Sequence, residues 1–143
     1  MIVLLICFAA WAVAQGTKFI IGRIREKRFS WSYFVSTGGM PSSHSATVTA
    51  LATGLGLKYG FDSPYFDISA ILAVIVMYDA AGVRRAVSRQ SVILNRIMRE
   101  LREQRPMVEV ERDLRELWGH TPFQVFVGGL LGIFIAWLWL FLS

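Results

Sequence analysis

The stretch TPFQVFVGGLLGIFIAWLWLFLS, residues 121–143, contains no charged side chain. A helix needs about 20 predominantly apolar residues to cross the hydrocarbon of a bilayer. This segment therefore reads as a membrane span, and the rest of the chain must be read as part of a membrane protein. Met1–Gln15 continues into Gly16-Thr17-Lys18-Phe19-Ile20-Ile21 and makes another span if Lys18 extends its ammonium toward a headgroup or a polar cavity. Phe66–Val83 is a third, with Asp67 near one end and Asp79 near the other. Ser45–Phe61 is a fourth and weaker one, rich in Ala, Thr and Gly. Its Ala46, Ala50 and Gly54 form a small-residue stripe that suits close helix packing rather than lipid, and Gly128 and Gly132 repeat the device in the last span. The expectation is an all-α, polytopic integral membrane protein with about four transmembrane helices, forming a single domain over residues 1–143.

Of 143 residues, 55% are hydrophobic and the net charge is +5. A basic chain invites a nucleic-acid reading, but the placement of the charges excludes it. Of 15 Lys and Arg, five lie from Lys18 to Arg28 and nine from Arg84 to Arg115, with Lys58 alone elsewhere. Basic residues of short loops stay on the cytoplasmic side. Four spans then put both basic segments inside, with the two termini and the Lys58–Asp67 loop outside, as in a plasma-membrane protein. Ala12-Val13-Ala14 resembles a signal-peptide cleavage site, but the segment lacks the positively charged start of such peptides. The single cysteine, Cys7, lies within a span, so cysteines supply neither a disulfide framework nor a zinc site.

Arg84–Trp118 holds nine Arg against six Asp and Glu. Ile93, Ile97 and Leu101 fall at helical spacing, as do Val110, Leu114 and Leu117, and Pro106 interrupts the run. Two amphipathic helices lying on the inner leaflet account for most of these arginines.

The chemistry gathers at the cytoplasmic ends of the spans. Gly38-Gly39-Met40-Pro41-Ser42-Ser43-His44-Ser45 joins a basic segment to the small-residue helix. The glycines free the backbone, and Pro41 suits a first helical turn, where its missing N–H is not needed. The serine hydroxyls stand beside unpaired backbone N–H groups, which together make an anion cradle. His44 adds a group that trades protons near neutral pH. Lys18 and Arg25 share a helical face about 10 Å apart along the axis. Asp79, Arg84 and Arg85 close the third span, and Trp118-Gly119-His120-Thr121-Pro122 opens the last. Four spans bring polar groups to one level, and intramembrane ionisable groups mark functional sites.

These residues resemble a small, divergent member of the type 2 phosphatidic acid phosphatase superfamily, which also includes the vanadium-dependent haloperoxidases. The first signature of that superfamily is Lys, six residues, then Arg-Pro; Lys18 and Arg25 keep the spacing, with Glu26 in place of the proline. The second, Pro-Ser-Gly-His, reads Pro41-Ser42-Ser43-His44. The third is Ser-Arg, five residues, His, three residues, Asp. His120 and Gln124 keep its final spacing with an amide for the acid, and Asp113-Leu114 stands at the Ser-Arg position. The stretch from Val76 to Arg85, with Tyr78-Asp79-Ala80 at its centre, resembles the divergent branch in particular.

The resemblance implies that His120 attacks phosphorus and that His44 protonates the leaving group, later activating water. Lys18, Arg25, Ser42 and Ser43 would neutralise the phosphoryl oxygens, with Arg84 and Arg85 filling the place of the absent Ser-Arg. It implies no metal and no other cofactor; a two-histidine, one-carboxylate metal site from His44, His120 and Asp79 is the alternative use of the same side chains. Gln124 either orients His120 or simply completes a Thr-x-x-Gln capping box with Thr121. Asp79 is the candidate to replace the lost carboxylate, or else makes a plain interhelical hydrogen bond. The function implied is hydrolysis of a lipid phosphate or pyrophosphate at the cytoplasmic face. The partners expected are that substrate and membrane lipids, with no nucleic acid, and with self-association left open. The alternative is a phospholipid-binding or lipid-transporting protein that keeps the cradle without turnover. A purely structural subunit would leave the histidines and basic cluster unexplained.

Overall fold

The three helices that follow the first each start where the sequence supplies a side-chain oxygen to the orphan N–H groups. A computed structural model describes residues 1–26, 39–82, 90, 92–94 and 120–142, with Arg25 and Glu26 described by backbone alone. Four long helices account for most of them: α1 (Ile2–Glu26), α2 (Ser43–Tyr59), α3 (Pro64–Ala81) and α4 (Pro122–Leu142). There is no strand among the described residues. Ser42 caps α2, its hydroxyl accepting from the Ser45 N–H at 3.4 Å. Pro41 therefore sits one residue ahead of the cap rather than inside the first turn, as expected from sequence. Ser63 caps α3 in the same way, accepting from the Phe66 N–H at 3.3 Å, with Pro64 in the first turn. α2 ends at Gly60, whose φ of 96° is the left-handed conformation that favours glycine.

α2 is the inner helix, and α1, α3 and α4 all pack against it. α1 runs antiparallel to it, since Lys18 meets Ser43 at one end and a methyl on Gly54 would meet Val3 at the other. α4 runs parallel to it, with Gln124 beside Ser42 and Gly132 beside Ala46. Fully buried small residues fill the centre: Ala10 and Ala14 of α1, Ala46 and Ala50 of α2, and Ala136 of α4, with Ile6 alongside. The large apolar side chains point outward instead, among them Ile68, Ile71 and Val74 of α3 and Phe126, Leu130 and Phe134 of α4. Small inside and large outside is the arrangement of helices packed in lipid, where close backbone approach and not water exclusion drives association.

Three helices, α1, α3 and α4, have the length and apolarity to cross a membrane. The expected fourth span does not meet that standard. α2 has 17 residues, about 26 Å of helix, and its composition is small and polar because it faces other helices. The expected amphipathic helices of Arg84–Trp118 lie outside the described residues, apart from Gln90 and Val92–Leu94.

The α2–α4 contact is the tightest. A Cβ at Gly128 would stand 3.0 Å from the Ser42 nitrogen and overlap its carbonyl oxygen, and one at Gly132 would overlap the Ala46 carbonyl and the Thr49 hydroxyl. A methyl at Gly16 would meet nothing within 4 Å. Gly132→Leu should therefore cost about 1–3 kcal/mol or more by overpacking, whereas Gly16→Ala should be neutral or stabilising by about 0.5–1 kcal/mol. Thermal unfolding in detergent measures both, and an unchanged midpoint for Gly132→Leu would contradict this packing.

Candidate functional site

The N-terminal turns of α2 and α4 meet and carry the site between them. The Ser42 N–H donates to the Gln124 carbonyl at 3.1 Å, which locks the two helix starts together. Thr49 adds a second tie about two turns deeper along α2: its hydroxyl lies 2.9 Å from the Gly129 carbonyl and 2.8 Å from that of Ser45. The sequence reading did not single out Thr49; a threonine one turn from a glycine-bearing helix was its only signal.

α4 opens with a capping box. The Gln124 N–H donates to the Thr121 hydroxyl at 3.3 Å, and Gln124 Oε1 accepts from the Thr121 N–H at 3.0 Å. The same Oε1 lies 3.3 Å from Nδ1 of His120. The two readings of Gln124 from sequence are thus compatible, since one oxygen serves both the cap and the histidine. An amide oxygen only accepts, so this contact calls for the proton on Nδ1, which in the neutral ring leaves the lone pair on Nε2. His120 is completely buried, and its ring centre lies 6.3 Å from that of half-buried His44 in the first turn of α2.

Lys18 reaches this end from α1. It is only 4% exposed, and its ammonium donates to Ser43 Oγ at 3.2 Å. Ser42 and Ser43 are themselves buried. Among the described residues no carboxylate pairs with that ammonium. A buried cation whose only partner among the described residues is a neutral hydroxyl is costly, and an incoming anion would relieve it. Ser45 Oγ is also fully buried and has no hydrogen-bond partner among the described residues.

The structure therefore brings together Lys18, Ser42, Ser43, His44, His120 and Gln124. Asp79 is half-buried near the end of α3. Arg25 lies at the end of α1, with its side chain outside the described residues, as are Arg84 and Arg85 altogether. Chemically, the assembled groups are one imidazole held at Nδ1, a second imidazole, and an ammonium beside serine hydroxyls and a helix N-terminus. That combination suits a phosphoryl or similar anion.

Comparison with known proteins identifies the family. The family model described as the Divergent PAP2 family matches residues 1–135. The chain belongs to that family. It is similar to the uncharacterized membrane protein YuiD of Bacillus subtilis (strain 168), 46% identical over 142 residues, covering 93% of this chain and 90% of that one. No solved structure matches it.

The Gln124 contact makes a prediction that needs no turnover. Neutral His120 should show the Nδ1–H tautomer in ¹⁵N spectra, and Gln124→Leu, which removes the acceptor, should shift it toward Nε2–H. An unchanged tautomer in Gln124→Leu would show that Gln124 does not orient the ring.

Proposed function

We propose that this protein is a membrane-embedded phosphatase that hydrolyses a lipid phosphate or pyrophosphate through a phosphohistidine intermediate. The observation that carries this reading is the pairing of buried His120, held at Nδ1 by Gln124, with His44 across a 6.3 Å ring separation, beside the buried ammonium of Lys18. Membership of the Divergent PAP2 family supports a phosphatase-related role.

Nε2 of His120 attacks phosphorus in line, and the P–N bond forms as the P–O bond to the alcohol breaks. Protonated His44 gives its proton to the departing alkoxide oxygen. Neutral His44 then takes a proton from water, which attacks the phosphohistidine, releases inorganic phosphate and restores both rings. Lys18, Ser42, Ser43 and the N–H groups of the first turn of α2 hold the phosphoryl oxygens, with Arg25, Arg84 and Arg85 as further candidates. Gln124 positions the nucleophile without contributing charge. The basic segments around the motif ends favour a site open to the cytoplasm, with both termini outside and the plasma membrane as host.

The test is phosphate release from lipid phosphates and pyrophosphates in sealed vesicles of each orientation. His120→Ala should abolish turnover and keep phospholipid binding. His44→Ala should slow esters with poor leaving groups by about 10²–10⁴-fold. Impermeant substrates should be hydrolysed only in inside-out vesicles. Equal activity of wild type and His120→Ala would exclude the mechanism. Binding without turnover in the wild type would favour the phospholipid-binding alternative, for which the uncharged Gln124 speaks.

A further inference from the structure

Two imidazoles meet at this site, and Gln124 serves one of them. The register of the α2–α3 hairpin indicates what serves the other. Tyr59 ends α2 and Pro64 starts α3, joined by a tight turn in which Ser63 N–H donates to the Gly60 carbonyl. Antiparallel helices have equal rise, so each step back along α2 matches a step forward along α3. Near the turn this pairing is visible, since a methyl on Gly56 would come 3.0 Å from the Phe66 ring. Fifteen steps from the turn, His44 on α2 stands level with Asp79 on α3.

The two side chains also leave their helices on the same side. α3 turns Ser69, Ala73 and Ala80 inward, and Met77 flanks that face toward α4, because a methyl on Gly129 would meet its Cε at 3.2 Å. At about 100° per residue, Asp79 falls on the opposite flank, away from α4. On α2, Ser42, Ala46 and Thr49 face α4. His44 lies about 140–160° around the helix from them, so it leaves α2 on the side away from α4, while its first-turn position still lets the ring approach that of His120, which precedes α4. α1 and α3 do not pack against each other among the described residues, so this side of α2 lies between them. Among the described residues, the ionisable groups that the packed helices bring to this end include Lys18, Asp79 and His120, with Arg23 exposed further along α1. Lys18 is engaged with Ser43, and His120 with Gln124.

We infer, building on the phosphatase reading above, that Asp79 is a positioning residue for His44 and not for His120. The two orienting roles are then divided by charge. The nucleophile takes a neutral amide, while the acid–base imidazole, which must carry a proton to the leaving group, takes a carboxylate that stabilises its cationic form.

Leaving-group dependence tests this directly. Asp79→Asn should slow an alkyl ester such as dioctanoyl phosphatidate by about 10²-fold or more, and p-nitrophenyl phosphate, whose leaving group needs no proton, only a few-fold. Asp79→Glu should recover part of the alkyl-ester rate. Equal loss on both substrates with an unchanged unfolding midpoint, or no loss on either, would overturn the inference. Where Asp79→Asn lowers the midpoint, Asp79→Glu decides: a selective loss on the alkyl ester supports the role, and an unselective one overturns it. Imidazole ¹⁵N spectra add a readout independent of turnover. Asp79→Asn should alter the His44 signals and leave those of His120 in place, and the reverse pattern, or no change at either ring, would overturn the assignment. A wild type inactive on every ester, with His44 still responding to Asp79, would reject the phosphatase reading alone.

Discussion

The site depends on how closely α4 can approach α2. Gly128 and Gly132 present bare backbone to Ser42 and Ala46, where any Cβ would overlap a carbonyl oxygen. That approach lets the Ser42 N–H reach the Gln124 carbonyl. One hydrogen bond then fixes two helix starts relative to each other, and with them the cap of α2 and the histidine that precedes α4. In a membrane, such bonds and close van der Waals contact replace the water-driven burial that organises soluble cores. Gly128 and Gly132 therefore help to position the residues of the candidate site.

Lys18 shows the other half of the design. Its ammonium is buried against a serine hydroxyl, with the N–H groups of the first turn of α2 nearby. Positive potential concentrated in a poorly solvated end of a helical bundle is a strong attractor for a multiply charged anion. Gln124 fits that setting. As an amide it fixes the ring of His120 through Nδ1 while adding no negative charge to repel a phosphoryl group. A carboxylate placed on the far side of His44 would serve proton transfer at a greater distance from the anion.

Much of this was legible in the sequence because the signals are physical. The uncharged run 121–143 predicts a span, and α4 covers it almost to the residue. The four-residue spacing of small residues predicts close packing, and Ala46 and Ala50 are fully buried. Thr-x-x-Gln predicts a capping box, which Thr121 and Gln124 form. Three things were not legible. The status of α2 as a span turns on its neighbours, since a helix wrapped by other helices carries little hydropathy signal. Pro41 reads as a first-turn residue until the capping hydroxyl of Ser42 places it outside. The dual role of Gln124 Oε1 depends on angles around a cap, which sequence spacing does not contain.

The most direct measurement of the central claim is the covalent state of His120 during turnover. Wild-type protein in lipid should be mixed with a lipid phosphate, quenched in alkali, which preserves phosphohistidine, and digested for fragmentation mass spectrometry. The account predicts phosphate on Nε2 of His120, because Nδ1 is committed to Gln124. Phosphate on a serine of the Ser42–Ser45 turn, or on Nδ1 of His120, would contradict it.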